Sequence, residues 1–215
     1  MWLHTDAAYG GFFMLVDSEK DKFKGIEKSH SVTIDPHKGL FLSYGLGAVL
    51  IKDVNALNKT HKYQANYMQD KLETFSEPSP ADLSPELTKH FRGLRMWLPL
   101  KLLGLKPFKA ALEEKLLLTR YFYEEIQKIG FEVGPFPDLS VMIYRYVPKN
   151  ADANDFNLQL VEDVKKDGKV FISSTRINGD VWLRLAVLSF RTHKSTIDYM
   201  ITLLKKIVEK QTTGL

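Results

Sequence analysis

The 215-residue sequence contains no cysteine, and this absence removes several classes of chemistry. Without a thiol there can be no disulfide framework, no thiolate metal site and no cysteine nucleophile. A cytosolic protein fits that composition, because disulfides persist mainly in oxidising compartments. We therefore expect a cytoplasmic protein whose function uses neither a disulfide nor a bound metal ion.

A long hydrophobic run is also lacking, as is a large excess of one charge. The most apolar stretch, MWLPLKLLGL, is short and carries Lys101, so it predicts no membrane span. The sequence has 30 Lys and Arg residues against 26 Asp and Glu residues, which gives a net charge of +4. Basic and acidic residues alternate in segments such as KDKFKGIEK, a pattern typical of solvated helix faces. We therefore expect neither membrane nor nucleic-acid binding.

Two parts of different pattern make up the chain. The segment DKLETFSEPSPADLSPE, at residues 70–86, holds three prolines and three serines and predicts a mobile connection between residues 1–85 and 86–215. In the first part, a short helix is expected around Lys20–Glu27. The apolar runs there are too short for buried helices and predict strands of a parallel sheet covered on both faces. These strands are WLHTDAA, SVTID and GAVLIKD.

The second part is predicted to be an α+β domain with an antiparallel sheet. Its helices are expected at residues 86–103, 107–130, 155–167 and 195–210, and its strands in FEV, SVMIYRYV, KVFISS and VWLRLAVLS. Asn178 and Gly179 form a dipeptide that favours a type I′ hairpin between the last two strands. Ser195 and Asp198 have the spacing of a capping box at the start of the final helix.

Two polar residues stand at the ends of the first two predicted strands. Asp6 closes the first strand, and Lys38 follows the second. The carboxyl ends of adjacent parallel strands meet at one edge of a sheet, where α/β proteins bind their ligands. A lysine amine can form a Schiff base with an aldehyde such as pyridoxal phosphate, and a carboxylate can keep the pyridine nitrogen of that cofactor protonated.

Other interpretations of this pair remain open at this point. Most lysines are solvated surface residues, and an aspartate at a strand end is commonly a turn former or a helix cap. A third possibility is a Schiff-base enzyme that uses no cofactor, as some aldolases do. Asp6 argues against that third possibility, because such an enzyme has no pyridine nitrogen to protonate.

Four segments together resemble one known family. WLHTDAAYGG, DPHKGLFLSYGLGAVLIKD, HFRGLRMWLPLKLLG and VWLRLAVLSFRTH are similar to motifs of the pyridoxal-phosphate-dependent group II amino-acid decarboxylases. That group includes aromatic-L-amino-acid, histidine and glutamate decarboxylases. The resemblance implies an α/β fold of the fold-type-I transferase-like class. Residues 1–85 would then be the end of the large parallel-sheet domain with its mobile loop, and residues 86–215 a linker helix with the α+β C-terminal small domain.

The resemblance also implies roles for single residues around pyridoxal 5′-phosphate. Lys38 matches the Schiff-base lysine, and Asp6 matches the partner of the pyridine nitrogen. Ala8 matches the residue that packs against the cofactor ring. Asp35 and His37 match positions near the phosphate end of the cofactor.

The resemblance implies matches for three further positions. Tyr67 matches the tyrosine of a mobile loop that reaches the partner subunit's site and donates a proton after CO₂ leaves. Arg184 shares a predicted strand face with Trp182 and matches an arginine that binds the substrate carboxylate. His4 matches the histidine before the family's Asp-Ala-Ala motif.

The sequence departs from the family in three places. His30 stands where the family usually has an acid, and Gly39 follows the lysine where the aromatic and glutamate enzymes carry a bulkier residue. These departures blur the substrate, and the segment FRGLRMW favours an aromatic one. The family also has a long N-terminal half before the Asp-Ala-Ala strand.

We therefore expect a C-terminal half that acts on a small amino acid as a homodimer, or with a partner chain that supplies the N-terminal half. Alone, it is expected to be inactive. The alternative is a non-catalytic remnant that acts as a dimerising or regulatory module.

Overall fold

A computed structural model describes residues 1–61 and 80–213, in two units that comprise Met1–Leu105 and Lys106–Leu215. The predicted connection at residues 70–86 lies mostly outside the described residues. The predicted domain boundary between residues 85 and 86 stays a prediction. Among the helices of the described ranges, none combines the length and the apolar character needed to cross a membrane.

The first unit contains a three-stranded sheet with the strand order β1-β2-β3. The strands are β1 (His4–Asp6), β2 (Ser31–Ile34) and β3 (Ala48–Ile51). β1 and β2 are parallel as predicted, but β3 runs antiparallel to β2, so the prediction of an all-parallel sheet is wrong. The connection from β2 to β3 contains only the four-residue helix α1 (Pro36–Gly39) and a turn with Gly45 at φ 83°. Its single helix of four residues is too short to carry the chain back along the sheet, as the helix of a parallel crossover usually does.

The link between β1 and β2 contains short 3₁₀ helices, and two of them overlap the short helix predicted around Lys20–Glu27. These helices are Gly11–Leu15, Asp17–Phe23 and Ile26–Lys28. Gly25, at φ 97°, has a left-handed backbone that interrupts any regular helix there. Phe13 and Val16 from this link are buried with Ile34 and Leu40, and they form the small core of the first unit.

Two longer helices complete the described part of the first unit: α2 (Val54–His61) and α3 (Gly93–Leu103). The helix predicted from residue 86 therefore begins seven residues later than expected. Before α3, the Arg92 guanidinium binds the Glu86 carboxylate through two nitrogens, at 2.7 and 3.1 Å. Leu87 and Phe91, whose spacing indicated a helix, lie outside α3 and are exposed.

The second unit has an antiparallel four-stranded sheet with the order β4-β5-β7-β6. Its strands are β4 (Glu132–Val133), β5 (Val141–Arg145), β6 (Ser173–Ile177) and β7 (Asp180–Ala186). Its helices are α4 (Lys106–Lys128), α5 (Ala153–Asp167) and α6 (Lys194–Thr213). Apolar residues of all three helices and of β5 and β7 form one core, which confirms the predicted α+β arrangement.

Local signals set several boundaries of the second unit. Asn178 and Gly179 both have positive φ, 52° and 92°, as a type I′ turn requires, and this confirms the predicted hairpin. The capping box predicted at Ser195 is wrong, because α6 already begins at Lys194. The Asp198 carboxylate instead binds the Lys194 amine at 2.8 Å.

One side chain of this core buries a polar group. Tyr144 is fully buried, its hydroxyl has no hydrogen-bond partner in the described structure, and burial raises its pKa far above the ordinary value. A buried hydroxyl without a partner costs about 1–3 kcal/mol of desolvation free energy. We expect Tyr144→Phe to raise the free energy of unfolding by about 1 kcal/mol in urea denaturation.

Tyr123→Phe is the matched control for that measurement. The Tyr123 hydroxyl donates to the Gly134 carbonyl at 3.4 Å, so its removal should not stabilise the protein. A loss of stability in Tyr144→Phe equal to that in Tyr123→Phe would contradict the assignment of an unpaired hydroxyl.

Candidate active site

The parallel pair β1 and β2 brings the ends of both strands to one edge of the sheet. Asp6 is the last residue of β1 and lies opposite Thr33 in β2. The backbone N–H of Ala7 continues the pairing by donating to the Thr33 carbonyl at 2.9 Å. Asp35 directly follows β2, and α1 then carries Lys38. The predicted juxtaposition of strand ends is therefore present.

Lys38 and Asp35 form an ion pair at this edge. The Lys38 amine lies 2.8 Å from the Asp35 carboxylate, and the Lys38 side chain is 40% exposed while that of Asp35 is only 14% exposed. Gly47 admits the carboxylate, since a Cβ atom at that position would lie 3.0 Å from Asp35 Oδ1. The ion pair orients the amine, and the sequence pattern alone did not indicate it.

His37 is held beside this pair by a backbone contact. Its Nδ1 lies 2.7 Å from the carbonyl oxygen of Leu46, and a carbonyl only accepts, so Nδ1 carries a proton. Its Nε2 faces the Asp35 carboxylate at 3.9 Å. The Tyr44 ring meets the imidazole edge-on, with 5.3 Å between centroids. His37 is therefore fixed in one orientation at the site.

The residues that follow Asp6 are small and closely packed. The Asp6 carboxylate accepts a hydrogen bond from the Ala8 backbone N–H at 3.0 Å, and its side chain is otherwise exposed. Ala7 is buried and Ala8 is half-buried. A Cβ atom at Gly11 would lie 2.9 Å from the Ile34 side chain, so a larger residue there would require that side chain to shift.

Gly39, which departs from the family pattern, has a local explanation. A Cβ atom at this position would lie only 2.8 Å from Cβ of Phe12, closer than real Cβ atoms approach. Phe12 is buried beneath α1, so the space that a bulkier residue would need is already filled. The departure thus reflects packing under the lysine rather than loss of a reactive group.

The residues at the sheet edge fit part of a pyridoxal phosphate site. An amine and a carboxylate stand at the ends of adjacent strands, and the residues between them are small enough for a flat ring to approach the backbone. Asp35, expected near the phosphate, binds the Lys38 amine, so its negative charge is balanced by that cation. Among residues 1–61 and 80–213 no cluster of three potential metal ligands occurs.

Two of the predicted site residues are not among the described residues of the first unit. Tyr67 lies outside the described residues. Arg184 belongs to the second unit, in β7, opposite Ile143 in β5 and Ser173 in β6. Its strand alternates as predicted, because Leu183 is buried on one face while Arg184 is half-buried on the other.

A second arginine, Arg145, lies on that face and was not among the predicted site residues. Arg145 binds the carboxylates of Glu132 and Asp180 at 2.8 and 2.7 Å, and its guanidinium lies 4.7 Å from the centre of the Trp182 ring. These contacts join β4, β5 and β7, so Arg145 has a structural role. A signal was present, since Arg145 alternates with apolar residues along SVMIYRYV.

The chain is similar to known proteins in sequence and in fold. Residues 1–146 match the model of the pyridoxal-dependent decarboxylase conserved domain. An aromatic-L-amino-acid decarboxylase of Bacillus atrophaeus is 30% identical over 96% of this chain and 44% of its own length. An L-2,4-diaminobutyrate decarboxylase of Acinetobacter baumannii is 28% identical over 87% of this chain and 38% of its own length.

The fold is similar to that of a solved structure. A crystal structure of Oryza sativa TDC with PLP and tryptamine superposes with a TM-score of 0.90 at 22% identity, over 98% of this chain and 45% of that one. The chain thus spans less than half the length of the relatives that it matches. The match to the family model covers more than half of the chain, so the chain belongs to the pyridoxal-dependent decarboxylase family.

Proposed function

We propose that this chain contributes Lys38 and Asp6 to the pyridoxal-phosphate-dependent decarboxylation of an L-amino acid, with aromatic substrates favoured. One observation carries the proposal: in a chain of this family, an amine and a carboxylate stand at the ends of adjacent parallel strands. The aromatic preference is supported by the segment FRGLRMW and by the aromatic-L-amino-acid decarboxylase among the relatives.

Lys38 and Asp35 act together in this proposal. Pyridoxal phosphate, when bound, supplies the electron sink for loss of the substrate carboxylate. Lys38 would hold the cofactor through its Nζ atom, which must first lose a proton, since only the neutral amine is a nucleophile. The Asp35 carboxylate, 2.8 Å away, orients that amine.

The other site residues have binding and proton-transfer roles. The Asp6 carboxylate would bind the protonated ring nitrogen, and Ala8 leaves space for the ring. His37 would lie near the phosphate end of the cofactor. Arg184 would bind the substrate carboxylate, because a half-buried guanidinium favours a bidentate anion. Tyr67 would donate its hydroxyl proton to the carbon that has lost CO₂.

We further propose that the site is completed by more protein than the described residues, either in a homodimer or by a chain that supplies the N-terminal half. Lys38 is 40% exposed, although a reactive amine needs a site from which water is excluded. In α3 no residue is buried, and most of its apolar side chains are exposed, including Leu94, Trp97, Leu98, Leu102 and Leu103. The isolated chain is then expected to be inactive, and a cytoplasmic location is part of this proposal.

Covalent trapping tests the cofactor assignment. The protein is incubated with excess pyridoxal phosphate, reduced with borohydride and mapped by peptide mass spectrometry. We expect Lys38 to be labelled well above Lys52 and the other lysines. Lys38→Arg keeps the charge and is the matched control. This variant should lose the label at position 38 and keep the labelling of the other lysines.

Label spread over surface lysines, with none on Lys38, would refute the cofactor assignment. That result would favour the second candidate function, a non-catalytic dimerising or regulatory module. The exposed apolar side chains of α3 are the observation that supports this alternative, because exposed patches of this kind commonly mark interaction surfaces.

A further inference from the structure

One face of the four-stranded sheet in the second unit is turned away from the core. Leu183 and Leu185 of β7 belong to the core, so the residues that alternate with them lie on the opposite, outer face. The register pairs Arg184 of β7 with Ile143 of β5 on one side and with Ser173 of β6 on the other. These three side chains therefore stand side by side on the outer face.

Two of the three side chains carry hydrogen-bond donors that are not in use. Within residues 1–61 and 80–213, neither the Arg184 guanidinium nor the Ser173 hydroxyl forms a hydrogen bond or an ion pair. Both side chains are half-buried. Residues directly opposite each other on antiparallel strands have Cβ atoms about 5 Å apart. One small ligand can therefore accept from both donors.

The neighbouring carboxylates are bound to another arginine. Asp180, on the same face of β7, binds Arg145 at 2.7 Å, and Glu132 binds Arg145 at 2.8 Å. The positive charge of Arg145 is thus balanced twice, whereas that of Arg184 is not balanced by a described residue. A guanidinium has five N–H donors and no acceptor, so its ligand must accept hydrogen bonds, and a negative charge strengthens them.

Gly134 provides room beside the Arg184 side chain. Its backbone N–H donates to the Ile143 carbonyl at 2.9 Å, so Gly134 continues β4 along β5. A Cβ atom at Gly134 would lie 2.9 Å from Cδ1 of Ile143. The Ile143 side chain therefore occupies the space above Gly134, on the side of β5 that faces away from β7 and Arg184. The half-buried Trp182 ring adds an apolar surface two residues along β7.

We propose that Arg184 and Ser173 form one carboxylate site on the outer face, in which Ser173 is a second donor for the substrate carboxylate and Gly134 is a positioning residue that keeps Ile143 away from the guanidinium. The inference rests on the proposed function, in which Arg184 binds that carboxylate. The planar guanidinium binds the carboxylate through two N–H groups, and the Ser173 hydroxyl donates to one of the same oxygens. Trp182 beside them favours a carboxylate that carries an aromatic group.

A carboxylate that cannot form a Schiff base tests the site by itself. Phenylpropionate, which has no amine, is titrated into the full 215-residue chain without pyridoxal phosphate. We expect a saturable shift of the Arg184 Nε–H signal in ¹H–¹⁵N spectra, because the bound carboxylate accepts from the guanidinium. Phenylpropionamide keeps the aromatic group without the charge and should cause no such shift.

Two pairs of variants separate the site from general effects of charge and stability. Ser173→Ala should raise the Kd of phenylpropionate about tenfold, the effect of one hydrogen bond to a charged group. Ser174→Ala, on the opposite face of β6, should leave the Kd unchanged. Arg184→Gln should abolish saturable binding, whereas Arg176→Gln removes the same charge from the opposite face and should not. Equal Kd values within either pair would overturn the inference.

Gly134→Ala tests the positioning role. The added methyl group should displace Ile143 towards Arg184 and raise the Kd, and a second substitution, Ile143→Ala, should restore binding because the shortened side chain no longer meets that methyl group. A purely structural defect would not be reversed by removing more apolar side chain. Failure of Ile143→Ala to restore binding would overturn the role of Gly134, and the serine and arginine pairs test the site even where Gly134→Ala does not fold.

Labelling of Lys38 separates this inference from the proposed function. Lys38→Arg should bind phenylpropionate as the unmutated chain does, since the carboxylate site lies within the second unit. Specific labelling of Lys38 without a saturable shift at Arg184 would overturn this inference alone. Saturable binding without any label on Lys38 would support the carboxylate site and refute the cofactor assignment.

Discussion

Replacing Asp6 with alanine should lower the turnover of the completed enzyme by about 10²–10³-fold, the usual cost of removing one preorganised charge partner. The variant loses the carboxylate that binds the protonated ring nitrogen, whereas Lys38 keeps its ion pair with Asp35. Saturating pyridoxal phosphate should therefore still be trapped on Lys38. The measurement is CO₂ release from a panel of L-amino acids by the chain co-expressed with a partner that supplies the N-terminal half.

Asp53→Ala is the matched control for that experiment. Asp53 follows β3 and accepts a hydrogen bond from the Asn55 backbone N–H at 2.9 Å, the same local turn that Asp6 makes with Ala8. Loss of the turn should affect both variants equally, so any additional loss in Asp6→Ala reports the binding role. Turnover of Asp6→Ala at the rate of Asp53→Ala would show that Asp6 is only a turn former.

Elements with strong local signals could be predicted from the sequence. Pro107 lies in the first turn of α4, and Gly130 follows its end at φ 89°. Asn178 and Gly179 determine the hairpin by their own backbone preferences. In each case the backbone preference of one or two residues determines the structure, so it can be recognised in the local sequence.

Elements decided by distant contacts could not be predicted in the same way. The connection from β2 to β3 has no helix longer than α1, and β3 runs antiparallel. The late start of α3 coincides with the pairing of Glu86 and Arg92. The apolar periodicity of residues 87–98 indicated only that a helix was favourable there. Which residues join it depends on packing and ion pairs beyond the periodic pattern.

The same distinction between local and distant determinants applies to the candidate site. Asp6 and Lys38 come to the same edge of the sheet because β1 and β2 are adjacent and parallel. The apolar runs and their spacing along the sequence predict that arrangement. The ion pair of Lys38 with Asp35 and the side-chain hydrogen bonds between His4 and β2 depend on side-chain rotamers and strand register. A one-residue change of register would move His4 to the opposite face, and no local pattern fixes that register.

Replacing Lys115 with methionine should destabilise the second unit by about 2–3 kcal/mol, because it leaves two backbone carbonyls without their donor. Lys115 is fully buried in α4, although the sequence around it is rich in charge. Its amine donates to the carbonyls of Thr192 and Phe190 at 2.6 and 3.3 Å and to the Glu114 carboxylate at 2.8 Å. These bonds tie the segment before α6 to α4.

Thermal unfolding should show a decrease in Tm of roughly 10 °C for a unit of this size. Lys194→Met is the matched control, since the Lys194 side chain is 65% exposed and its ion pair with Asp198 is screened by water. Such a surface pair contributes at most about 1 kcal/mol. Equal losses in the two variants would contradict a special role for the buried amine.

The acid dependence of stability gives a second readout for Lys115. Burial opposes ionisation of Glu114, but hydrogen bonds from His193 and Lys115 outweigh it and lower the Glu114 pKa below its usual value of 4.5. The stability that this carboxylate contributes is therefore complete above pH 4.5 and is lost as the pH falls through the lowered folded-state value. Lys115→Met removes one of the two donors, so urea denaturation between neutral and acid pH should show a smaller acid-induced loss than in the unmutated protein. An unchanged acid dependence would mean that the His193 contact alone sets the ionisation of Glu114.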